Sequence, residues 1–571
     1  MFARRVASFL VAASIVGAVT FAQVGRGWSD WPTPYADAQR TSWLRADPKI
    51  SVESMSQPGF ELQWSATVDN QPRGVRGLTQ GVTASGVTLF VPASLVAGGS
   101  NTLSMIDNDT GYIIWSRTFE GALPAATTAC AGGITAAPTF IVNGAAALAA
   151  DLLSTALPAG RANQGFRSLL GEPGQGIPAE PRGGGAGRGA GAPGAPAGAA
   201  RQGGAPGRAQ SAGIPGAPNV GGGGLGRAIV GYVVAADGQL HVVGLQSGKD
   251  LQKPAPFLPA NSQWSNPVAV GTMLYAATSG NCAGVPSGVY AIDLDAPDKP
   301  VVSYRTNGGS VVGSVAFSSD GNTLLAAIGP GSVSGDGKAN AIVALDPRTL
   351  QVRDWFTQPG AEFVTGPTVF RHGSKDVVSA ATKDGRIFLL DSASLGGANH
   401  ATPLLVSRPL VGNGGSISAE ALSTWARPAT ASGTEARWIL VPVSGRTSGA
   451  RATNGAIRNG AVVALRITET KGAWAVEPQW TSTDLIAPAT PITVNGVVFA
   501  LSTGRPISAG GTGSPAVLHA YDGLSGKPLW NSANSMMTPA SPGSYWSALS
   551  QIYVGTEDGT VHAFGFLDER R

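Results

Sequence analysis

Eight times along the chain one short phrase returns, and its clearest copy is LHAYDGLSGKPLW at Leu518–Trp530. An alternating strand runs into an Asp, a Ser/Thr-Gly turn follows, and a second strand closes on Trp. LSMIDNDTGYIIW repeats the pattern with Asp107, Thr110, Gly111 and Trp115. IVALDPRTLQVRDW gives Asp346 and Trp355, and VYAIDLDAPDKPVVSY gives Asp293 with Tyr304 in place of Trp. Weaker copies centre on Gly244, Asp391, Arg466 and Gly565. Such recurrence means an array of like supersecondary units, because one unit cannot bury its apolar faces alone.

The spacing fixes the kind of array. From Gly244 to Asp293 is 49 residues, to Asp346 another 53, to Asp391 another 45, and from Asp522 to Gly565 it is 43. Each interval holds four short strands and their turns, the size of one propeller blade. The intervals Asp107–Gly244 and Asp391–Arg466 are longer and require insertions. Asp237-Gly238, Asp384-Gly385 and Asp558-Gly559 stand between alternating runs. They are expected to form two-residue type I′ turns, in which both central residues take positive φ. The Trp that follows each Asp can wedge against the neighbouring blade and bury a large aromatic surface. The fold class is therefore all-β, an eight-bladed β-propeller over residues 60–571.

Closure is also legible. The last copy, Gln551–Phe566, supplies inner strands and no outer one, while FELQWSATV at Phe60–Val68 carries Trp64 with no Asp turn before it. This N-terminal strand is expected to complete the last blade, which leaves the ring without an unpaired edge.

Composition agrees: only 13% of residues are charged and 80 are Gly, and helical periodicity is confined to the N-terminal segment. The net charge of +4 is modest, and basic groups form no run interleaved with aromatics, so nucleic acid is not expected as a partner. Residues 1–22 read as an export signal: Arg4 and Arg5, an apolar run Val6–Val19, then Thr20-Phe21-Ala22. Cleavage there would leave a lead-in segment at 23–59, no transmembrane segment, and a periplasmic or secreted protein. Retention as an anchor is the alternative. An oxidising compartment makes Cys130 and Cys282 a possible disulfide, since they fall in adjacent blades; two separate buried thiols are equally compatible. Residues 158–227 are Gly, Pro, Ala and Arg with scarcely a large apolar side chain. This stretch cannot offset its ordering entropy and is expected to be a disordered insertion in blade 2.

The Asp-x-x-Thr-Gly-x-x-x-Trp phrase resembles the repeat of the pyrroloquinoline quinone (PQQ) propeller family. That family includes the quinoprotein alcohol dehydrogenases and the propeller lipoprotein that assists outer-membrane protein assembly. WPTPYADAQRTSWLRADPKIS, followed by LQWSATV, is similar to the dehydrogenases' segment before their first blade. The resemblance implies the fold, and it implies PQQ as a possible cofactor only where the family's site residues recur. The dehydrogenases carry two adjacent cysteines in the second blade; here Cys130 is followed by Ala131. They place a calcium-binding Glu in the first blade, where this chain has Arg73 and Arg76. No CxxCH haem motif is present.

What remains for a site is short. Arg73, Arg76 and Trp425 are the candidate funnel residues, the two guanidiniums suited to an anionic group. Asp484, Glu362 and Glu420 stand near inner-strand starts, either as substitutes for a catalytic carboxylate or as solvated loop residues. Trp264, Trp425 and Trp546 lie near inner strands; His241, His519 and His562 share one repeat position with Tyr290 and read as framework. The leading functional expectation is a non-catalytic, exported propeller that binds a protein or envelope polymer through its loop faces. The alternative is a divergent PQQ-dependent oxidoreductase of the alcohol or sugar dehydrogenase type.

Overall fold

Most copies of the repeated phrase mark the end of the third strand of a blade, while Arg466 lies within Gly460–Thr470. Asp107, Gly244, Asp293, Asp391 and Asp522 close the strands Thr102–Asp107, Gln239–Gly244, Gly288–Asp293, Ile387–Asp391 and Val517–Asp522. The Asp is there for its carboxylate. Oδ1 of Asp107 accepts the Asp109 amide at 2.8 Å, that of Asp346 accepts Arg348 at 2.8 Å and Thr349 at 2.9 Å, and that of Asp522 accepts Leu524 at 2.9 Å. An Asx turn of this kind stops the strand and starts the next hairpin.

A computed structural model describes residues 31–69, 77–83, 92–120, 133–142, 230–260, 262–279, 285–417, 419–427, 435–505 and 513–567. These form eight sheets in a ring, an eight-bladed β-propeller. Blades 4, 5 and 6 are plain antiparallel meanders that begin with Val311–Phe317, Thr368–His372 and Ser423–Arg427 as inner strands. In blade 2 the inner position is held by a bridge between Thr139 and Tyr232. Blade 8 is built from Ala540–Ala548, Gln551–Thr556 and Thr560–Phe566, and its outer strand is Phe60–Thr67, antiparallel to Thr560–Phe566. The N-terminal strand thus closes the ring, as the sequence implies. The expected export signal at 1–22, the insertion at 158–227, Cys130 and Cys282 lie outside the described residues. Among the described residues no helix is long and apolar enough to cross a membrane.

The Trp of the phrase docks on the next blade. Trp64 of blade 8 donates Nε1–H to Asn108 O of blade 1 at 2.9 Å, Trp115 donates to Leu245 O of blade 2 at 2.7 Å, and Trp480 of blade 6 donates to Gly523 O of blade 7 at 2.9 Å. Each ring lies over the turn glycine of the blade it meets. A Cβ at Gly111 would stand 2.5 Å from Trp64, one at Gly248 2.7 Å from Trp115, and one at Gly526 2.5 Å from Trp480. The same glycines have φ of 73°, 67° and 72°, so backbone conformation and ring packing both demand glycine there. Gly111→Val is accordingly expected to lower stability by about 2–4 kcal/mol, combining a left-handed β-branched residue with a displaced Trp. Denaturant unfolding checks this, and a loss below about 0.5 kcal/mol would mean the ring-over-glycine contact contributes little.

One expectation is corrected. The Asp-Gly turns are not type I′, since only their glycines have positive φ: 79° at Gly238, 81° at Gly385 and 78° at Gly559. Gly238 N–H donates to Ala235 O at 2.8 Å and Gly385 N–H to Thr382 O at 2.8 Å, which makes each a type I turn followed by a left-handed glycine. The Asp itself sets this geometry. Thr382 and Thr556 donate their hydroxyls to Oδ1 of Asp384 and Asp558 at 2.6 Å, which ties the first turn residue to the third.

Candidate functional site

In a propeller the inner strands leave one edge facing the axis, with backbone groups that need partners. Here the lead-in segment supplies them, blade by blade. Trp31 exchanges both backbone bonds with Thr83 of blade 1, and Pro32 O accepts Phe140 N–H of blade 2 at 2.8 Å. Thr33 donates its hydroxyl to Pro267 O of blade 3 at 3.3 Å. Ala38 O, Gln39 O, Thr41 O and Ser42 O then accept the amides of Phe317, Val369, Thr424 and Thr493, of blades 4 to 7, at 2.8–3.0 Å. Asp47 Oδ1 accepts the Ser550 hydroxyl of blade 8 at 2.8 Å. To turn this tightly the segment places Tyr35, Ala36, Arg40 and Ser42 at φ of 64°, 75°, 61° and 54°. Four non-glycine residues in the left-handed region within eight positions is strain that only dense bonding sustains.

Arg40 provides much of that bonding. Its side chain is fully buried. Nε–H donates to Val315 O at 2.9 Å, Nη1 to Pro34 O at 2.7 Å and the Thr33 hydroxyl at 3.3 Å, and Nη2 to Asn266 O at 3.1 Å and Pro267 O at 3.3 Å. All five guanidinium donors are used. Burial pulls the group down to about 10, while Tyr35, Asp37 and Glu420 act in the opposite sense. It stays cationic at neutral pH.

Glu420 is the carboxylate of this region. It sits in the loop before the inner strand of blade 6, and its Oε2 accepts Asn266 Nδ2 of blade 3 at 2.7 Å, the Tyr35 phenol at 3.1 Å and the Ser314 hydroxyl of blade 4 at 3.5 Å. Side chains from blades 3, 4 and 6 thus meet on one oxygen. Burial first, and the Glu420 charge second, push the Tyr35 phenol well above its usual range, so it remains a donor. Gln80 ties the other side: its Oε1 accepts Tyr35 N–H at 2.7 Å and its Nε2 donates to Tyr545 O at 2.6 Å. The close approach of blades 4, 5 and 6 needs glycine at 313, with φ 63°, where a Cβ would overlap Glu420 O and Gly366 N. The second carboxylate oxygen of Glu420 has no partner among the described residues.

The residues singled out from sequence are distributed differently. Arg73 and Arg76 lie outside the described residues. Trp425 is 3% exposed and stacks on Trp438 with ring centroids 4.5 Å apart, packed over Gly523 in the core between blades 6 and 7. Its ring therefore faces protein rather than a ligand. Trp546 is buried over Gly81 and stacks on Tyr553 at 5.1 Å, and Trp264 is likewise buried. Asp484 accepts the amides of Arg458, Asn459 and Gly460 at 2.9, 2.7 and 3.3 Å, so it organises a loop. Glu362 pairs with Lys383 at 3.0 Å near the surface. Of the three carboxylates only Glu420 reaches the axis. Tyr35, Arg40, Gln80 and Asn266 went unnoticed. The signal available was PYADAQR, a charged and aromatic stretch with no place in any blade.

These groups do not fit a calcium-bound quinone. Calcium takes six to eight oxygens, usually with several carboxylates, and among the described residues the axis offers one, Glu420. Among the described residues no three His, Cys, Asp or Glu side chains gather in a way that could hold a metal ion. The three carboxylates of PQQ would need cationic donors, and those of Arg40 are already committed to the chain's own carbonyls and the Thr33 hydroxyl.

No family model matches the chain, and no curated protein matches it. Solved structures do. The quinohemoprotein alcohol dehydrogenase from Comamonas testosteroni is similar at a TM-score of 0.52 and 14% identity, over 97% of this chain and 83% of that one. A quinohemoprotein alcohol dehydrogenase from Pseudomonas putida HK5 is similar at 0.52 and 12%, over 94% and 80%. A europium-containing methanol dehydrogenase is similar at 0.52 and 12%, over 94% and 98%. At such identities the likeness shows the fold alone, an eight-bladed β-propeller.

Proposed function

We propose that this chain is an exported, non-catalytic β-propeller that holds a protein or envelope polymer on its loop face. The observation that carries the reading is the axis itself. The lead-in segment bonds to the inner edges of blades 1 to 7 and to the first turn of blade 8, Arg40 spends all its donors on the chain's own oxygen atoms, and Glu420, Asn266 and Tyr35 meet across the ring. A propeller whose centre is filled by its own chain is left with its loops for recognition, the usual place for variable binding residues on a rigid scaffold.

The rival reading, a divergent quinoprotein oxidoreductase, draws on the whole-length likeness to three such dehydrogenases and on the uncommitted oxygen of Glu420. One experiment separates the two. The protein is titrated with PQQ, with and without calcium, and assayed for alcohol or sugar oxidation with an artificial electron acceptor. No saturable quinone absorbance and no turnover are expected. Binding that is lost in Glu420→Ala or in Arg73→Ala/Arg76→Ala, together with turnover, would overturn the scaffold reading.

A further inference from the structure

The long interval between Asp391 and Arg466 brings basic residues together that are scattered in sequence. Two segments do this: residues 408–416, before the inner strand of blade 6, and residues 445–459, between its second and third strands. In an up-and-down meander these two positions fall on the same end of the blade. The structure joins them directly. Gly412 N–H donates to Arg446 O at 2.7 Å, Ser448 N–H donates to Leu410 O at 2.7 Å, and Ser416 and Ser444 exchange bonds at 2.9 and 2.8 Å. The far end is tied to the outer strand of blade 6, where Asn454 Nδ2 donates to Thr481 O at 2.7 Å, and to blade 7, where Asn454 Nδ2 donates to Gly526 O at 2.8 Å and Arg505 Nη2 donates to Asn459 Oδ1 at 2.8 Å.

Arg408, Arg446, Arg451, Arg458 and Arg505 all stand exposed on this platform. None of the five makes an ion pair among the described residues. The flanking basic residues differ, since Lys383 is paired with Glu362 at 3.0 Å and Arg386 with Asp384 at 3.1 Å. Among the described residues Asp484 is the carboxylate that bonds to the platform, and it is bound to backbone amides and to Asn459 Nδ2.

We infer that this platform docks an acidic polysaccharide, a chain of carboxylate-bearing sugars; the inference rests on the binding-propeller reading above and names the partner class. All five cations are arginine, whose planar fork matches a carboxylate with two parallel hydrogen bonds. Between them lie Thr447 and Ser448, whose hydroxyls are suited to sugar hydroxyls. The two segments contain no aromatic residue, Leu410 is buried, and their other large aliphatic side chains, Val411 and Ile457, are half-buried. A protein partner would be expected to find aromatic or aliphatic anchors, and a single-stranded nucleic acid would be expected to find stacking platforms. The bonds that pin residues 412, 454 and 459 hold the platform before any ligand arrives, which lowers the ordering cost of binding.

The test compares the full chain with its Arg446→Ser/Arg451→Ser/Arg458→Ser variant for binding to immobilised polygalacturonate, neutral dextran and duplex DNA. Wild type should bind polygalacturonate saturably and not dextran. The triple variant should bind at least about tenfold more weakly, and wild-type binding should weaken steeply between about 50 and about 300 mM salt. Lys383→Ser, which removes an already paired cation, should bind like wild type. Should the triple variant fail to fold, the single variant Arg451→Ser serves, with an expected weakening of about threefold. Equal binding by wild type and the variants, or no binding at low salt, overturns the inference. Tighter binding of duplex DNA than of polygalacturonate at equal charge assigns the surface to nucleic acid and also overturns it. Quinone turnover in the preceding experiment would remove the scaffold reading without altering this outcome, so the two failures are distinguishable.

Discussion

Removal of residues 1–70 is expected to leave a chain with no cooperative unfolding transition. The truncation strips the outer strand Phe60–Thr67 from blade 8 and exposes the free edge of Thr560–Phe566. It also removes the lead-in that bonds to the inner edges of blades 1 to 7 and to the first turn of blade 8. Phe60 alone packs within 4.9 Å of Trp530, 5.2 Å of Phe566 and 5.8 Å of Phe499, so it joins blades 7 and 8. Trp31, Leu44, Ile50, Met55 and Phe60 are all buried. At about 1.5–3 kcal/mol per large apolar side chain their loss amounts to roughly 8–15 kcal/mol. That is the whole stability of a typical protein, about 5–15 kcal/mol. Circular dichroism with thermal and denaturant melts provides the check. A truncated chain that melts cooperatively near the wild-type temperature would show that neither the closing strand nor the lead-in holds the ring.

Arg40→Ala is expected to cost about 3–5 kcal/mol, the range for taking one partner out of a buried charged network. The substitution leaves the carbonyls of Val315, Pro34, Asn266 and Pro267 facing a void, in a segment whose left-handed residues depend on those bonds. Arg40→Lys should recover only part of the loss, because an ammonium has three donors and cannot reproduce the fork. Glu420→Gln should cost under about 1.5 kcal/mol, since the amide oxygen still accepts from Asn266, Tyr35 and Ser314. Urea midpoints for the three variants measure the ordering. An Arg40→Ala protein within about 1 kcal/mol of wild type would mean that the lead-in is held by its backbone bonds alone.

The blade count and the strand, turn and Trp pattern were legible in sequence because they depend on neighbours along the chain; the closing strand was legible because the last copy lacks an outer strand and the unmatched run at the other end of the chain supplies one. Period-two alternation, an Asp whose carboxylate binds amides two and three residues on, and a glycine forced to positive φ act within about ten residues. Repetition then displays them eight times. The Asp-Gly turns depart from type I′ for a reason equally local yet invisible in the pair itself. Thr382 and Thr556, two residues upstream, bond the Asp and select a type I turn with a left-handed glycine.

The axis and the basic platform were decided by tertiary structure alone. Tyr35 and Glu420 are 385 residues apart, and Asn266 and Glu420 are 154 apart. They meet because closing an eight-membered ring brings every inner strand to one line. The five arginines meet because two loops of blade 6 share one end of a meander and pair with each other and with blade 7. A repeat pattern specifies each blade and the number of blades. It carries no information about which side chains converge where the blades face one another, because that convergence is a property of ring closure and of the one segment that belongs to no blade.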